Sequence, residues 1–201
     1  GRGRSLAALE TGDRSVAIPQ ASESDSLSSG ERVRVRGNSM SNCMVMAKVS
    51  QWSGYERLDF EVDGRAALLI RPKAPGPGAP WIWRTEFFGH EPQGDLALLG
   101  RGFHVAYVDV QNMYGAPVAM KHMDQFYAQV TRAYELSPKP VLEGFSRGGL
   151  FAFNWAALHP DRVAGLYVDA PVCDFKSWPG GKGAGLGSAG DWQTLLKVYG
   201  L

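Results

Sequence analysis

Residues 140–158 read Pro140-Val141-Leu142-Glu143-Gly144-Phe145-Ser146-Arg147-Gly148-Gly149-Leu150-Phe151-Ala152-Phe153-Asn154-Trp155-Ala156-Ala157-Leu158. A short apolar run at 140–143 suits a buried strand, and the apolar run at 150–158 suits a helix that ends near His159-Pro160. Between them lies G-x-S-x-G, spanning Gly144 to Gly148. A Ser at the apex of so sharp a strand-to-helix turn adopts a strained backbone, and only small neighbours let strand and helix come close, hence Gly144 and Gly148. The turn lifts the hydroxyl of Ser146 to the end of the sheet, beside a helix N-terminus whose free N–H groups favour a developing oxyanion. The competing reading is a Gly-rich turn with an incidental Ser. The strand before and the helix after favour the elbow.

Working outward, 163–169 reads as a further buried strand and 103–110 as a central, β-branched and aromatic one. Residues 118–134 suit a helix with Met123, Phe126, Tyr127 and Val130 on one buried face. A short helix fits 95–99, stopped by Gly100 and Gly102, and Trp81-Ile82-Trp83 is a short buried strand after the Pro- and Gly-rich loop 72–80. Upstream, 58–62 alternates apolar and polar, and Asp63-Gly64 joins it to 65–70 as a hairpin, because both turn positions favour positive φ. A hairpin followed by alternating strands and helices predicts an α/β fold with a mostly parallel sheet covered on both faces. Functional residues in such sheets gather at the carboxyl ends of strands, here on the loops 84–92, 111–117, the elbow and 170–190.

Residues 1–50 differ in character from 51–201. The stretch 21–36 is rich in Ser, Glu and Arg with little to bury, and predicts a disordered or loosely ordered leader; Val33 and Val35 alternate as a strand would. The 201 residues carry a net charge of +1 and 44% hydrophobic residues, an ordinary globular balance that makes no electrostatic case for nucleic acid. No apolar run is long enough to span a membrane. Cys43 and Cys173 form neither a metal-ligand set nor a disulfide framework, and Cys173 reads as a small buried hydrophobe. The loop Gly180-Gly181-Lys182-Gly183-Ala184-Gly185 lacks the spacing of a phosphate cradle. No metal and no cofactor is called for. Starting Gly-Arg-Gly-Arg, without Met or an apolar leader, the chain reads as processed, tagged or partial.

Over roughly 55–201 these residues resemble the α/β-hydrolase superfamily. The segments Trp81 to Glu91, Asp109 to Gly115, Leu142 to Gly149 and Asp169 to Gly181 are similar to a group of uncharacterised bacterial α/β-hydrolases usually assigned as esterases. The Ser146-Arg147 pair is also similar to the elbow of glucuronoyl esterases. The resemblance implies that Ser146 is a nucleophile and that the backbone N–H of Arg147 is one oxyanion donor. The second donor would come from Thr85 or Glu86, after the Trp81–Trp83 strand. It also implies an acid after a later strand and then a His near the end. Asp169 is a possible acid, competing with a turn or capping role; Asp174 is a weaker claimant. No His follows His159, and His159 suits a helix C-terminus. The expectation is therefore an amino-terminal part of a longer hydrolase, its C-terminal strands missing, with base and acid beyond this chain and little activity alone.

Of the other histidines, His90 lies on a functional-edge loop, where it either reaches the site or bonds its own loop. His104 belongs to the 103–110 strand, and His122 to an exposed helix surface. Tyr114, Phe145 and Trp178 either line an apolar pocket or simply pack. Arg147 meets a carboxylate, either an acidic substrate or Glu86. The expected activity is hydrolysis of a small-molecule or carbohydrate ester. A peptidase or other acyl-transfer enzyme, and a catalytically dead binding module, are the alternatives on the same fold.

Overall fold

The structure, a computed structural model, describes residues 32–35 and 45–201. Its strands are β1 (Arg32–Val35), β2 (Val45–Trp52), β3 (Tyr55–Val62), β4 (Arg65–Arg71), β5 (Trp81–Arg84), β6 (His104–Val108), β7 (Val141–Phe145) and β8 (Gly165–Asp169). Its helices are α1 (Gln93–Leu99), α2 (Pro117–Ala133), α3 (Gly148–Leu158) and α4 (Ala189–Tyr199), with a 3-10 turn at Pro160–Arg162. All eight strands form one sheet in the order β1-β2-β3-β4-β6-β5-β7-β8.

The hairpin reading is correct: Asp63 and Gly64 have φ of 50° and 71°, and β3 and β4 pair antiparallel across them. A second turn of the same kind at Ser53-Gly54, with φ of 49° and 79°, joins β2 to β3. The antiparallel part is larger than one hairpin. It runs from β1 through β4 and includes the β4–β6 pairing, and only β6, β5, β7 and β8 are parallel to one another. The boundary expected at residue 50 falls inside β2, and Val33 and Val35 belong to β1, in register with Ala47 and Val45. The rest of the expected leader, and Cys43, lie outside the described residues.

Alternation along the strands divides the core in two. Leu58, Phe60, Leu69, Trp83, Ala106 and Leu142 face α2 and α3, while Leu68, Ile70, Ile82, Val105 and Tyr107 face α1. Helices thus cover both faces. On the larger side Phe126 of α2 packs against Phe60, Trp81 and Trp83, with centroid separations of 6.4, 6.4 and 5.1 Å. Met123, Phe126 and Val130 are buried as their spacing predicted, and Tyr127 is half-buried.

β8 departs from its reading as a buried strand. Among the described residues it pairs with β7 alone, and Leu166 and Tyr167 are 41% and 56% exposed. An apolar composition marks a strand but does not decide whether anything covers it. Cys173 is likewise exposed rather than buried, because it lies in the loop after this edge strand.

Removing the Phe126 ring should leave a cavity at the centre of the aromatic cluster. Phe126→Ala is expected to cost about 3–5 kcal/mol in urea unfolding, and Val118→Ala, at an exposed position on the same helix, less than about 0.5 kcal/mol.

Candidate active site

Ser146 occupies the turn between β7 and α3 with φ of 52°, a left-handed conformation that a non-glycine residue holds only when its surroundings impose it. Those surroundings are backbone bonds. The Ser146 N–H donates to Asp169 O at 3.0 Å, and its carbonyl accepts from Gly149 N at 3.1 Å and Val172 N at 2.8 Å. The end of β8 and the loop beyond it therefore hold the turn from one side. Gly149 is the tightest point: a Cβ there would lie 2.7 Å from both Pro171 Cβ and Val172 O. The sequence reading named Gly144 and Gly148 for this closeness. A Cβ on either would meet neighbours at 3.1 Å, tight but less severe.

Strain is spread along the same sheet edge. Non-glycine residues with positive φ occur after β5 (Phe87, Glu91), after β6 (Asn112, Tyr114), at Ser146 and after β8 (Ala170). Each of the four loops expected to carry function holds at least one such residue, and Ser53, Asp63, Ala79 and Glu135 share the conformation elsewhere.

The two proposed partners from the β5 loop behave differently. Thr85 donates its N–H to Glu143 O at 3.1 Å, and its Oγ1 lies 2.8 Å from both Glu143 O and Gly148 O. It is a buried clamp between β5, β7 and α3, and its N–H is already engaged. Among the described residues no backbone hydrogen bond engages the N–H of Glu86 or of Arg147. The Glu86 nitrogen lies 3.8 Å from where a Cβ on Gly148 would stand, which places it beside the first turn of α3.

Side chains brace this arrangement. Arg147 donates to Glu86 Oε1 through Nη2 at 2.9 Å and Nε at 3.2 Å, and the Glu86 side chain is wholly buried. Burial raises the Glu86 pKa against the pull of Arg147. Arg147 also lies over the rings of Phe87 and Tyr114, at 5.1 and 5.9 Å. Tyr114 donates to Asp191 Oδ1 at 2.5 Å, and Ser188 caps α4 through the same aspartate. Desolvation pushes the Tyr114 phenol up to about 12, so it remains a donor.

Tyr114 and Trp178 do not form one pocket with Phe145. Tyr114 is buried and packs with Trp178, Leu150 and Leu195 in a cluster of its own. Phe145 instead lines a cleft of about 620 Å³ together with Phe87, Phe88, His90 and Tyr107. Ser146 itself does not line that cleft.

None of the four histidines bonds to Ser146. His90 stacks on Phe145 at 5.2 Å, with its backbone N–H on Phe87 O. His104 is buried in β6 with Nδ1 3.3 Å from Pro80 O, and burial lowers its pKa. His122 is half-buried, not exposed as expected, with Nδ1 3.1 Å from Asp63 Oδ2 of the β3–β4 turn. His159 ends α3 as its sequence position suggested, and its Nε2 lies 2.7 Å from Asp124 Oδ1. Asp169 is exposed and meets Ser146 through its carbonyl; Asp174 caps its own turn by accepting from Lys176 N. Among the described residues no group of three or more His, Cys, Asp and Glu side chains is placed to hold a metal, and no helix there is long and apolar enough to cross a membrane.

Sequence reasoning missed a buried ion cluster beneath the elbow. Arg84, at the end of β5, bonds Asp95 Oδ2 of α1 at 2.8 Å through Nη1, and its Nη2 lies 2.8 Å from Glu143 Oε1 of β7. One guanidinium thus serves two carboxylates. Burial and the neighbouring Asp95 push Glu143 up to about 7 against the pull of Arg84. The available signal was a charge inside each of two otherwise apolar strands, Trp-Ile-Trp-Arg and Val-Leu-Glu-Gly-Phe.

An antiparallel ribbon leading into a parallel sheet, the crossover order β4-β6-β5-β7-β8 and a strained Ser between β7 and α3 decide the architecture. The fold is that of an α/β-hydrolase. No protein-family model matches this chain, and no curated protein does. Solved structures similar to this α/β-hydrolase fold include a bacterial membrane phospholipase A, at 20% identity and a TM-score of 0.42, covering 57% of this chain and 39% of that one. A protein named Cfl2 from Burkholderia cenocepacia shows 14% identity and a TM-score of 0.46 over 60% of this chain and 44% of its own. A cold-adapted esterase from an Arctic intertidal metagenomic library shows 18% identity and a TM-score of 0.44, over 60% and 61%. The chain spans less than half the length of the first two.

The ion cluster gives stability a pH dependence of known sign. Glu143 binds its proton more tightly folded, near pH 7, than at its ordinary value of 4.5. Its contribution therefore weakens as pH rises from 4.5 through 7 and stays lost above. Glu143→Gln should flatten the fall in urea midpoint over that range without abolishing it, since Glu86 and Asp95 are shifted the same way.

Proposed function

We propose that Ser146 is the nucleophile of a carboxylic-ester hydrolase. The observation that carries this reading is the left-handed Ser146 at a strand-to-helix junction, with the N–H groups of Arg147 and Glu86, which no backbone hydrogen bond engages among the described residues, near the first turn of α3. A hydroxyl held there stands at the N-terminus of α3, where backbone dipoles favour negative charge.

The step runs as follows. Ser146 Oγ attacks the ester carbonyl carbon and gives its proton to a general base. The N–H groups of Arg147 and Glu86 receive the oxyanion. The alcohol leaves with the proton returned by the base, forming an acyl-serine. Water, deprotonated by the same base, then attacks, and the carboxylic acid departs as Ser146 is reprotonated. None of the described histidines contacts Ser146, so the reading names no base among the described residues. The substrate is a small-molecule or carbohydrate ester.

The lack of a histidine at Ser146 among the described residues is also what a catalytically dead binding module would show. A fluorophosphonate separates the two, because it bonds covalently only to an activated serine. Protein isolated from its source should label at Ser146, and Ser146→Ala should lower ester turnover by at least about a thousandfold. Absent labelling with ester hydrolysis retained in Ser146→Ala would sink the assignment.

A further inference from the structure

The cleft beside Phe145 joins a ring-bearing wall to the β4 residues Ala66, Ala67 and Leu68 and to a charged rim of Arg57, Asp59 and Asp109. Phe87, Phe88, His90, Tyr107 and Phe145 all contribute rings to it. Phe145 meets His90 nearly face to face at 5.2 Å and 28°, and Phe87 edge-on at 5.8 Å and 74°. Phe88 and Tyr107 continue the wall with centroids 6.0 Å apart. A bulky aromatic rarely takes positive φ, yet Phe87 is held at 51°. That conformation turns its ring so that one neighbour is Phe145, next in sequence to Ser146, and another is the Arg147 guanidinium. Phe87 is therefore shared between the elbow and the cleft.

The charges at the cleft are already answered. Arg57 is bidentate on Asp59, with contacts of 2.7 to 3.0 Å. Asp109 faces Arg65, whose Nη2 lies 3.7 Å from it. Gln111 reaches the Tyr107 hydroxyl at 3.4 Å. Among the described residues the site therefore offers no unpaired Arg or Lys to a phosphate or carboxylate and no unpaired carboxylate to an amine. It offers ring faces and edges, which favour another ring over an aliphatic chain of equal area. About 620 Å³ is room for a drug-sized ligand, enough to admit an aromatic group together with the ester that carries it.

We propose that this cleft is a subsite for an uncharged aromatic group carried by the ester substrate. The proposal rests on the reading of Ser146 as the elbow nucleophile, but its test does not need turnover. In Ser146→Ala protein isolated from its source, 2-phenylethyl acetate and 2-cyclohexylethyl acetate are titrated by calorimetry, with a methyl glucoside acetate as the sugar comparison. The phenyl ester should bind about fivefold tighter than the cyclohexyl ester. Phe88→Leu, which keeps an apolar side chain without a ring, should bring the two to parity. His90→Ala, at an exposed position, should weaken the phenyl ester alone and guards against a folding defect at Phe88. Equal or tighter cyclohexyl binding, tighter sugar binding, or insensitivity to both substitutions overturns the subsite. Failure of the hydrolase reading shows separately, as absent phosphonate labelling at Ser146 in the unsubstituted protein.

Discussion

The first turn of α3 meets β7 and the loop after β8 without side chains between them, and the rest of the site depends on that contact. At Gly149 no room exists for even a methyl group, since Pro171 and Val172 close on it from the loop. Closeness brings the backbone of 169–172 within bonding distance of Ser146, and those bonds hold the serine in its left-handed state. The N–H groups proposed as oxyanion donors depend on the same approach, because Glu86 comes up to the helix where Gly148 presents no Cβ. Thr85 then pins β5 and β7 to this turn through one hydroxyl. Backbone packing comes first, strain second, and chemistry last.

Around that contact the protein has placed charge where a fold built for stability alone would place apolar groups. Arg84, Asp95 and Glu143 lie under the elbow with almost no exposure, and Glu86 is wholly buried beside it. Removing one partner of such a cluster costs more than the cluster itself contributes, since it leaves a buried charge unanswered. What the ions supply is geometry: each carboxylate accepts from a guanidinium in a fixed direction, so β5, α1 and β7 are held in one relative position.

Much of this was legible in the chain. Alternation located β3, helical spacing α2, an apolar run α3, and Asp63-Gly64 the turn into β4, because these signals are local in the chain. The strand-to-helix turn at Ser146 was legible for the same reason. Partners distant in sequence were not. Glu143 looks like a stray charge until Arg84 and Asp95 are beside it, 59 and 48 residues away. For Tyr114 and Trp178 on their edge loops, pocket and packing were both open in the sequence, and α4 with its Asp191 draws Tyr114 into packing. β1 was under-read because 32–35 buries nothing evident in sequence, and only its pairing with β2 makes it a strand. β8 was over-read because coverage is a property of neighbours.

The buried ion cluster also has a thermal meaning. Hydration of charged groups becomes less favourable on warming, so keeping Arg84, Asp95 and Glu143 away from water costs less at higher temperature. Apolar burial, by contrast, weakens on cooling. Both trends push the same way in the layer that joins β5, α1 and β7. The footing of the elbow is therefore firmest warm, and cold is the direction in which it loosens.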